Sequence, residues 1–193
     1  MAAGLADPEG KDSCGVGMVV SVAGAADHSI VEAGLRVLER LAHRGAENAD
    51  GLTGDGAGIT VQIPHAFYQK LGMPLPAPGS YGTGIIFLPR DPKAAEAAWG
   101  RFRTACAENG LSIFADREVP ADHSVPGPLA LASEPLMRQA FVVGGCGGVE
   151  LERKLFRMDS KLAGATHYQW QALPYAASTP VGASYGLTLA VQW

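Results

Sequence analysis

Cys14 opens the stretch Asp12-Ser13-Cys14-Gly15-Val16-Gly17-Met18-Val19-Val20, a thiol at the mouth of an apolar run. Taken alone, it fits a buried core position, because free cysteine is among the most buried residue types. A second chemistry opens if the thirteen residues before it are removed. Cys14 would then be the N-terminus, and its α-amino group, which ordinarily titrates near pH ~8, could serve as base for its own thiol. Gly15 and Gly17 would let neighbouring groups come close to that residue.

Other residues of chemical interest follow in two clusters. His43-Arg44-Gly45 ends an apolar-periodic stretch, where basic groups suit the negative end of a helix dipole and glycine suits a left-handed cap. Thr53-Gly54-Asp55-Gly56-Ala57-Gly58 superficially matches a phosphate-cradling loop, but a strand-like segment follows it and no Gly-Lys-Ser/Thr ending is present. Turn chemistry explains it, with Asp55 bonding backbone amides. Glu47, Asp50 and Asp55 share one loop without a calcium-loop pattern. His28, His65, His123 and His167 lack ligand spacing, as do the three cysteines Cys14, Cys106 and Cys146, so neither a metal site nor a disulfide framework is expected.

The elements that must position these residues are legible from pattern. Residues 16–22 read as a buried strand. Ser29, with Glu32 three residues on, reads as a helix start, and Val31, Leu35, Leu38 and Ala42 as its apolar face. Residues 58–63 alternate as a strand, and Pro64 to Leu71 form a short helix. YGTGIIFLP is a further strand. Asp91-Pro92 opens a helix through about Glu108, closed by Asn109-Gly110. LSIFADREV and Gln139 to Val143 complete the strands, so the class is mixed α and β, with an α+β sandwich as compatible as a doubly wound sheet. From Met158 onward charge nearly vanishes, and residues 158–193 are expected to be a divergent tail.

Composition narrows the partners. The chain has 193 residues, 47% hydrophobic, with net charge −4 and basic residues never clustered beyond pairs. That lacks the electrostatic footprint of a nucleic-acid binder. The first thirteen residues have no secretion-signal core and no window spans a membrane, so a cytoplasmic protein is expected.

The motifs together are more specific than any one alone. Cys14-Gly15-Val16-Gly17, Leu41-Ala42-His43-Arg44-Gly45-Ala46, Ala49-Asp50-Gly51, Thr53 to Ile59, Gln62-Ile63-Pro64, Phe67, GTGIIFLPRDP and Glu152-Arg153-Lys154-Leu155-Phe156 occur in an order that resembles the glutaminase domain of glutamate synthase large subunits, a class II glutamine amidotransferase. The resemblance covers roughly residues 12 to 157. It implies an N-terminal-nucleophile (Ntn) hydrolase fold, an αββα sandwich, incomplete in this chain. It also implies a propeptide over 1–13 and the start of the glutaminase domain over 14–157. Cys14 would be the nucleophile and its freed α-amine the base, attacking the side-chain amide of L-glutamine through a glutamyl thioester. Arg44 and Gly45 would support the site beside the nucleophile, and Asp55 would organise it. No cofactor is implied in this segment; FMN, an iron–sulfur cluster, the remaining domains of the large subunit and a small reductase subunit belong to the parent enzyme. The family's later Arg-Phe-Ser-Thr motif and oxyanion-hole Asn-Gly pair do not follow the ERKLF segment here, so the chain by itself is expected to be inactive. A non-catalytic small-molecule-binding or structural α/β module is the alternative.

Overall fold

The computed structural model describes residues 15–45, 53, 57–163 and 186–188. Two compact units are distinguished, one from described residues within 15–57 and 126–132, the other from those within 58–125 and 133–188.

The larger unit is organised around an antiparallel sheet. Strand β1 (Thr60–Gln62) and helix α2 (His65–Lys70) come first, followed by β2 (Tyr81–Leu88), α3 (Pro92–Glu108) and β3 (Ser112–Glu118). After a six-residue helix, α4 (Pro128–Ser133), of which residues 128–132 belong to the smaller unit, come β4 (Leu136–Val143), α5 (Gly148–Ala163) and β5 (Gly186–Thr188). The three-stranded sheet has the order β2-β4-β3, with Thr83 opposite Phe141 and Arg117 opposite Gln139. β1 and β5 form a separate antiparallel pair.

Why α3 begins where it does is local. Asp91 is the N-cap, its carboxylate accepting from the Ala94 amide at 2.8 Å, and Pro92 supplies a φ already suited to a first turn. It ends as the sequence predicts: Asn109 caps it and Gly110 turns the chain at φ +65°, a conformation glycine adopts without steric cost.

Alternation along β4 assigns its residues to two faces. Ala140 and Val142 face a helical layer, packing with Ile86 and Leu88 against Trp99, Phe102 and Cys106 of α3 and against Leu151, Leu155 and Met158 of α5. On that face Arg138 lies 4.2 Å over the Trp99 ring and pairs with Asp116 at 2.6 Å. Gln139 and Phe141 point the other way. Phe141 packs with Tyr81 and with Tyr68 of α2, edge-on to the latter at 5.0 Å, while Val61 of β1 and Ile63 close the cluster. Gln139, 1% exposed, donates to the Tyr68 hydroxyl at 2.7 Å and to Thr83 Oγ1 at 3.1 Å, and accepts from Arg117 Nε at 2.8 Å. A buried amide with this many partners avoids the desolvation penalty of an unpaired one.

The expected short helix and the strands over YGTGIIFLP, LSIFADREV and Gln139 to Val143 are present, each within a few residues of the expected bounds. The strand over 16–22 is not. Residues 15–21 form no ladder, and the β-branched run is open to solvent, with Val16 89% and Val22 102% exposed. Strand preference in such a run is realised only when cross-strand neighbours are present to pack against.

Phe141 touches neighbours from three elements of its cluster, so Phe141→Ala is expected to cost about 3–5 kcal/mol, measured as a fall in urea midpoint at constant slope. Burial pushes the Cys106 thiol up to about 12, and burial followed by the neighbouring Tyr68 pushes the Tyr81 phenol up to about 12. Above about pH 9 the unfolded chain loses these protons while the native chain keeps them. Stability should therefore fall as pH rises from about 9 towards 12, and urea unfolding at pH 8 and 10.5 would show it. Equal stabilities at the two values would contradict these buried environments.

Candidate active site

Arg44 and Gly45, the described residues of the expected site, lie in the smaller unit. Its chain runs without regular secondary structure through 15–21, turns with the Gly24 amide donating to the Ser21 carbonyl at 3.1 Å, and enters helix α1 (His28–Leu41). The cap is Asp27 rather than Ser29. The Asp27 carboxylate accepts from the Ser29 amide at 2.8 Å, and hydrogen bonding from Ser29, by hydroxyl and then by amide, holds that carboxyl below its ordinary range. With the helix beginning at His28, Ser29 falls in its first turn, and its amide is one of the orphan donors that the aspartate satisfies.

The inward stripe of α1 also differs from the expected one. Ile30, Val31, Ala33, Gly34, Val37, Leu38 and Leu41 are half-buried, whereas Leu35 is 47% exposed. The stripe is wider than the row from Val31 to Ala42, as a 3.6-residue repeat facing one side of a helix requires.

Beyond Leu41 the helix tightens into a 3₁₀ turn, Ala42–Arg44, and Gly45 leaves it. Gly45 has φ −83° and ψ 151°, so it is extended and not the left-handed cap expected from its type. Its amide still donates to the Ala42 carbonyl at 3.1 Å. The tighter turn satisfies this end without a left-handed residue. His43 Nδ1 donates to the Arg40 carbonyl at 2.9 Å, which places the ring proton on Nδ1 and binds the imidazole to the helix end.

Arg44 and Gly45 are thus consecutive at the end of one rigid element, and the backbone of Arg44 is fixed by that turn. Cys14 and Asp55 lie outside the described residues. Thr53, two residues before Asp55, is buried. Gly17 is set by packing: a Cβ built on it would collide with Val37 Cγ1 of α1. Glycine at this position predicts a close approach, and the neighbour that makes it is a helix side chain.

In the larger unit the two described histidines, His65 and His123, have structural partners. His65 Nδ1 is 3.1 Å from the Tyr81 hydroxyl. His123 Nδ1 reaches both oxygens of Glu134, at 2.9 and 3.0 Å, and the Arg90 guanidinium donates to the Glu134 carbonyl at 2.7 Å and to its carboxylate at 3.3 Å. Glu134 is only 6% exposed, so this carboxylate is buried with two partners and anchors the start of β4 to the segment after β2. No local pattern signals this pairing, because Arg90 and Glu134 are 44 residues apart. Among the described residues no group of three or more His, Cys, Asp or Glu is disposed to hold a metal ion. No described helix is long and apolar enough to cross a membrane. The chain's Asn-Gly pair, Asn109-Gly110, is occupied in closing α3, with Asn109 Nδ2 donating to the Ala105 carbonyl at 2.7 Å.

Comparison with known proteins supplies what the described geometry does not. Residues 14–182 match the family described as glutamine amidotransferases class-II, and the chain belongs to that family. It is 35% identical over 154 residues to ferredoxin-dependent glutamate synthase 2 of Synechocystis sp., covering 77% of this chain and 10% of that one. Over 137 residues it is 40% identical to the NADH glutamate synthase of Schizosaccharomyces pombe, covering 69% of this chain and 6% of the relative. The large chain of Bacillus subtilis NADPH glutamate synthase is 34% identical over 161 residues, with 80% and 11% covered. The chain therefore spans about a tenth or less of the length of these relatives.

The two described thiols differ in environment: Cys106 is buried, 3.3 Å from Met158 Sδ, and Cys146 is half-buried. Iodoacetamide at pH 8 is expected to modify Cys146 in the native protein and Cys106 only in denaturant, read by peptide mass mapping. Native modification of Cys106 at the rate of Cys146 would refute the packing of α3 against α5.

Proposed function

We propose that this chain carries the glutamine-hydrolysing chemistry of its family, with Cys14 as nucleophile after removal of residues 1–13. The observation that carries the reading is that the family match begins at Cys14 itself. The nucleophile and its base then occupy one residue. The freed α-amine, which ordinarily titrates near pH ~8, takes the thiol proton as sulfur attacks the side-chain carbonyl of glutamine. The same proton passes to the leaving nitrogen, ammonia departs and a glutamyl thioester remains. Water attacks the thioester carbon, the amine accepts its proton and returns it to sulfur, and glutamate is released.

Supporting roles follow from chain position. Arg44, with backbone held in a 3₁₀ turn and five donors in a fixed fork, is suited to hydrogen-bond backbone near the N-terminal cysteine. Gly45 continues extended from it, and Asp55 organises the Gly-rich loop after Thr53. The αββα sandwich is the scaffold proposed around this site. One helical layer, α3 with α5, on an antiparallel sheet whose second face receives α2 and β1 supports it. In this scheme the ammonia is used in further domains of a glutamate synthase.

Oxyanion stabilisation is the costly shortfall. Losing one such donor typically removes about 3 kcal/mol or more of transition-state stabilisation, a rate factor above ~10². The Arg-Phe-Ser-Thr motif is absent from the 193 residues and the Asn-Gly pair closes α3. The thiol is therefore expected to react once with a glutamine-mimicking electrophile, while glutamine turnover stays low.

Intact mass after expression tests the first step, expected to show a species beginning at Cys14. Treatment with 6-diazo-5-oxo-L-norleucine tests the second. The sulfur bonds to the diazo carbon, the thiol proton ends on that carbon and dinitrogen leaves, adding one labelled residue at Cys14. Cys14→Ala should abolish the label. Labelling spread equally over Cys14 and Cys146, or persisting in Cys14→Ala, would favour the non-catalytic module.

A further inference from the structure

We infer that Gly17 and Val37 form a positioning contact that sets the place of the Cys14 thiol relative to α1 and Arg44; this rests on the proposed role of Cys14. A Cβ at Gly17 would overlap Val37 Cγ1 and would lie 3.6 Å from Val37 Cβ and 3.7 Å from Cγ2. Gly17 is not among the glycines with positive φ. Its backbone conformation is therefore open to alanine, and glycine is required by space alone.

The obstacle cannot swing aside cheaply. A valine in an α-helix has one strongly preferred χ1 rotamer, because the branched Cβ meets the preceding turn in the others. Val37 lies on the half-buried stripe of α1, which limits it further. The cheaper response to a methyl group at position 17 is displacement of the segment around it, which carries no regular secondary structure, away from the helix.

That displacement bears on chemistry through covalent distance. Cys14 is three residues before Gly17, at most ~11 Å along an extended chain. Arg44 is seven residues after Val37 on the same helix and its terminal turn, about 10 Å along the axis. One contact thus registers the nucleophile's segment against the element carrying its supporting arginine. Misplacement by about 1 Å is enough to cost on the order of 10²-fold in a reaction that depends on attack geometry.

The test uses the full chain with processing verified by mass, and 6-diazo-5-oxo-L-norleucine as probe. Gly17→Ala is expected to slow labelling of Cys14 by roughly 10- to 100-fold, with iodoacetamide modification of Cys146 unchanged and Cys106 still protected, which shows that the larger unit remains folded. Adding Val37→Ala to Gly17→Ala makes room for the new methyl and should restore the rate to within a few-fold of wild type. Equal rates in wild type and Gly17→Ala, or a slow Gly17→Ala that Val37→Ala does not rescue, would overturn this inference alone. Absence of selective Cys14 labelling in wild type would overturn the reading beneath it, and the inference with it.

Discussion

The register of β4 is the constraint on which the described larger unit depends. Slipping this strand by one residue would send Gln139 and Phe141 towards the helices and Ala140 and Val142 towards Tyr68 and Tyr81. The apolar residues alone tolerate such an exchange poorly. Gln139 makes it far worse, because its amide finds Tyr68, Thr83 and Arg117 only in the observed register. Elsewhere it would be a buried amide without partners, a loss of about 1–3 kcal/mol for each orphaned group. The network therefore contributes specificity beyond its net stabilisation.

Both edges and both faces of that sheet follow from this choice. β3 carries Asp116, Arg117 and Glu118 in succession and a bulge between Ile113 and Ala115, features that discourage a further strand from adding there. β2 has no charged residue and is buried along nearly its whole length. The helical layer is tied down at its rim by Lys154 of α5, which donates to the Gly144 carbonyl at 2.8 Å just beyond β4. Glu134 does the same at the other end of β4 through Arg90 and His123. The smaller unit has no comparable interior among the described residues: α1 carries no fully buried residue, and the valines of 16–22 are largely exposed. Among the described residues the buried apolar clusters lie in the larger unit.

What is legible in the sequence divides along the same line. Asp91-Pro92 and Asn109-Gly110 state both ends of α3 within a few residues of the bonds that make them, so that helix can be read with its boundaries. β2 and β3 are readable from β-branched and aromatic runs bounded by turns. Reading fails where the deciding partner is remote or where two local signals compete. VGMVVSV has strand composition, yet a strand is a relation between segments. At the start of α1, Asp27 and Ser29 both qualify as caps, and nothing in composition ranks them. Gly45 has the type of a left-handed cap, but the 3₁₀ turn before it removes the need. The Glu134 bracket and the Gln139 network are invisible to local pattern because each joins residues dozens of positions apart. For the site, residue types and their order point to the family, while distances from Cys14 and Asp55 to their neighbours lie outside the described residues.

In the proposed reading the nucleophile and its base share one residue, which changes what the rest of the site must supply. In a Ser–His or Cys–His arrangement the fold must bring two side chains within about 3 Å of each other. When the base is the α-amine of the nucleophile's own residue, that distance is fixed covalently. The remaining tasks are to hold one chain end in place, to admit a substrate amide, and to present donors to a developing oxyanion. Backbone does these things, and it can do them only where side chains leave room. Gly17 against Val37 is one described instance: the chain approaches α1 more closely than any residue with a Cβ could. Gly15 and the glycines flanking Asp55 stand in the same matched region. On this view the pattern to seek is a cysteine followed by space and then by a rigid helix end bearing an arginine, which is the order that Cys14, Gly17, α1 and Arg44 present.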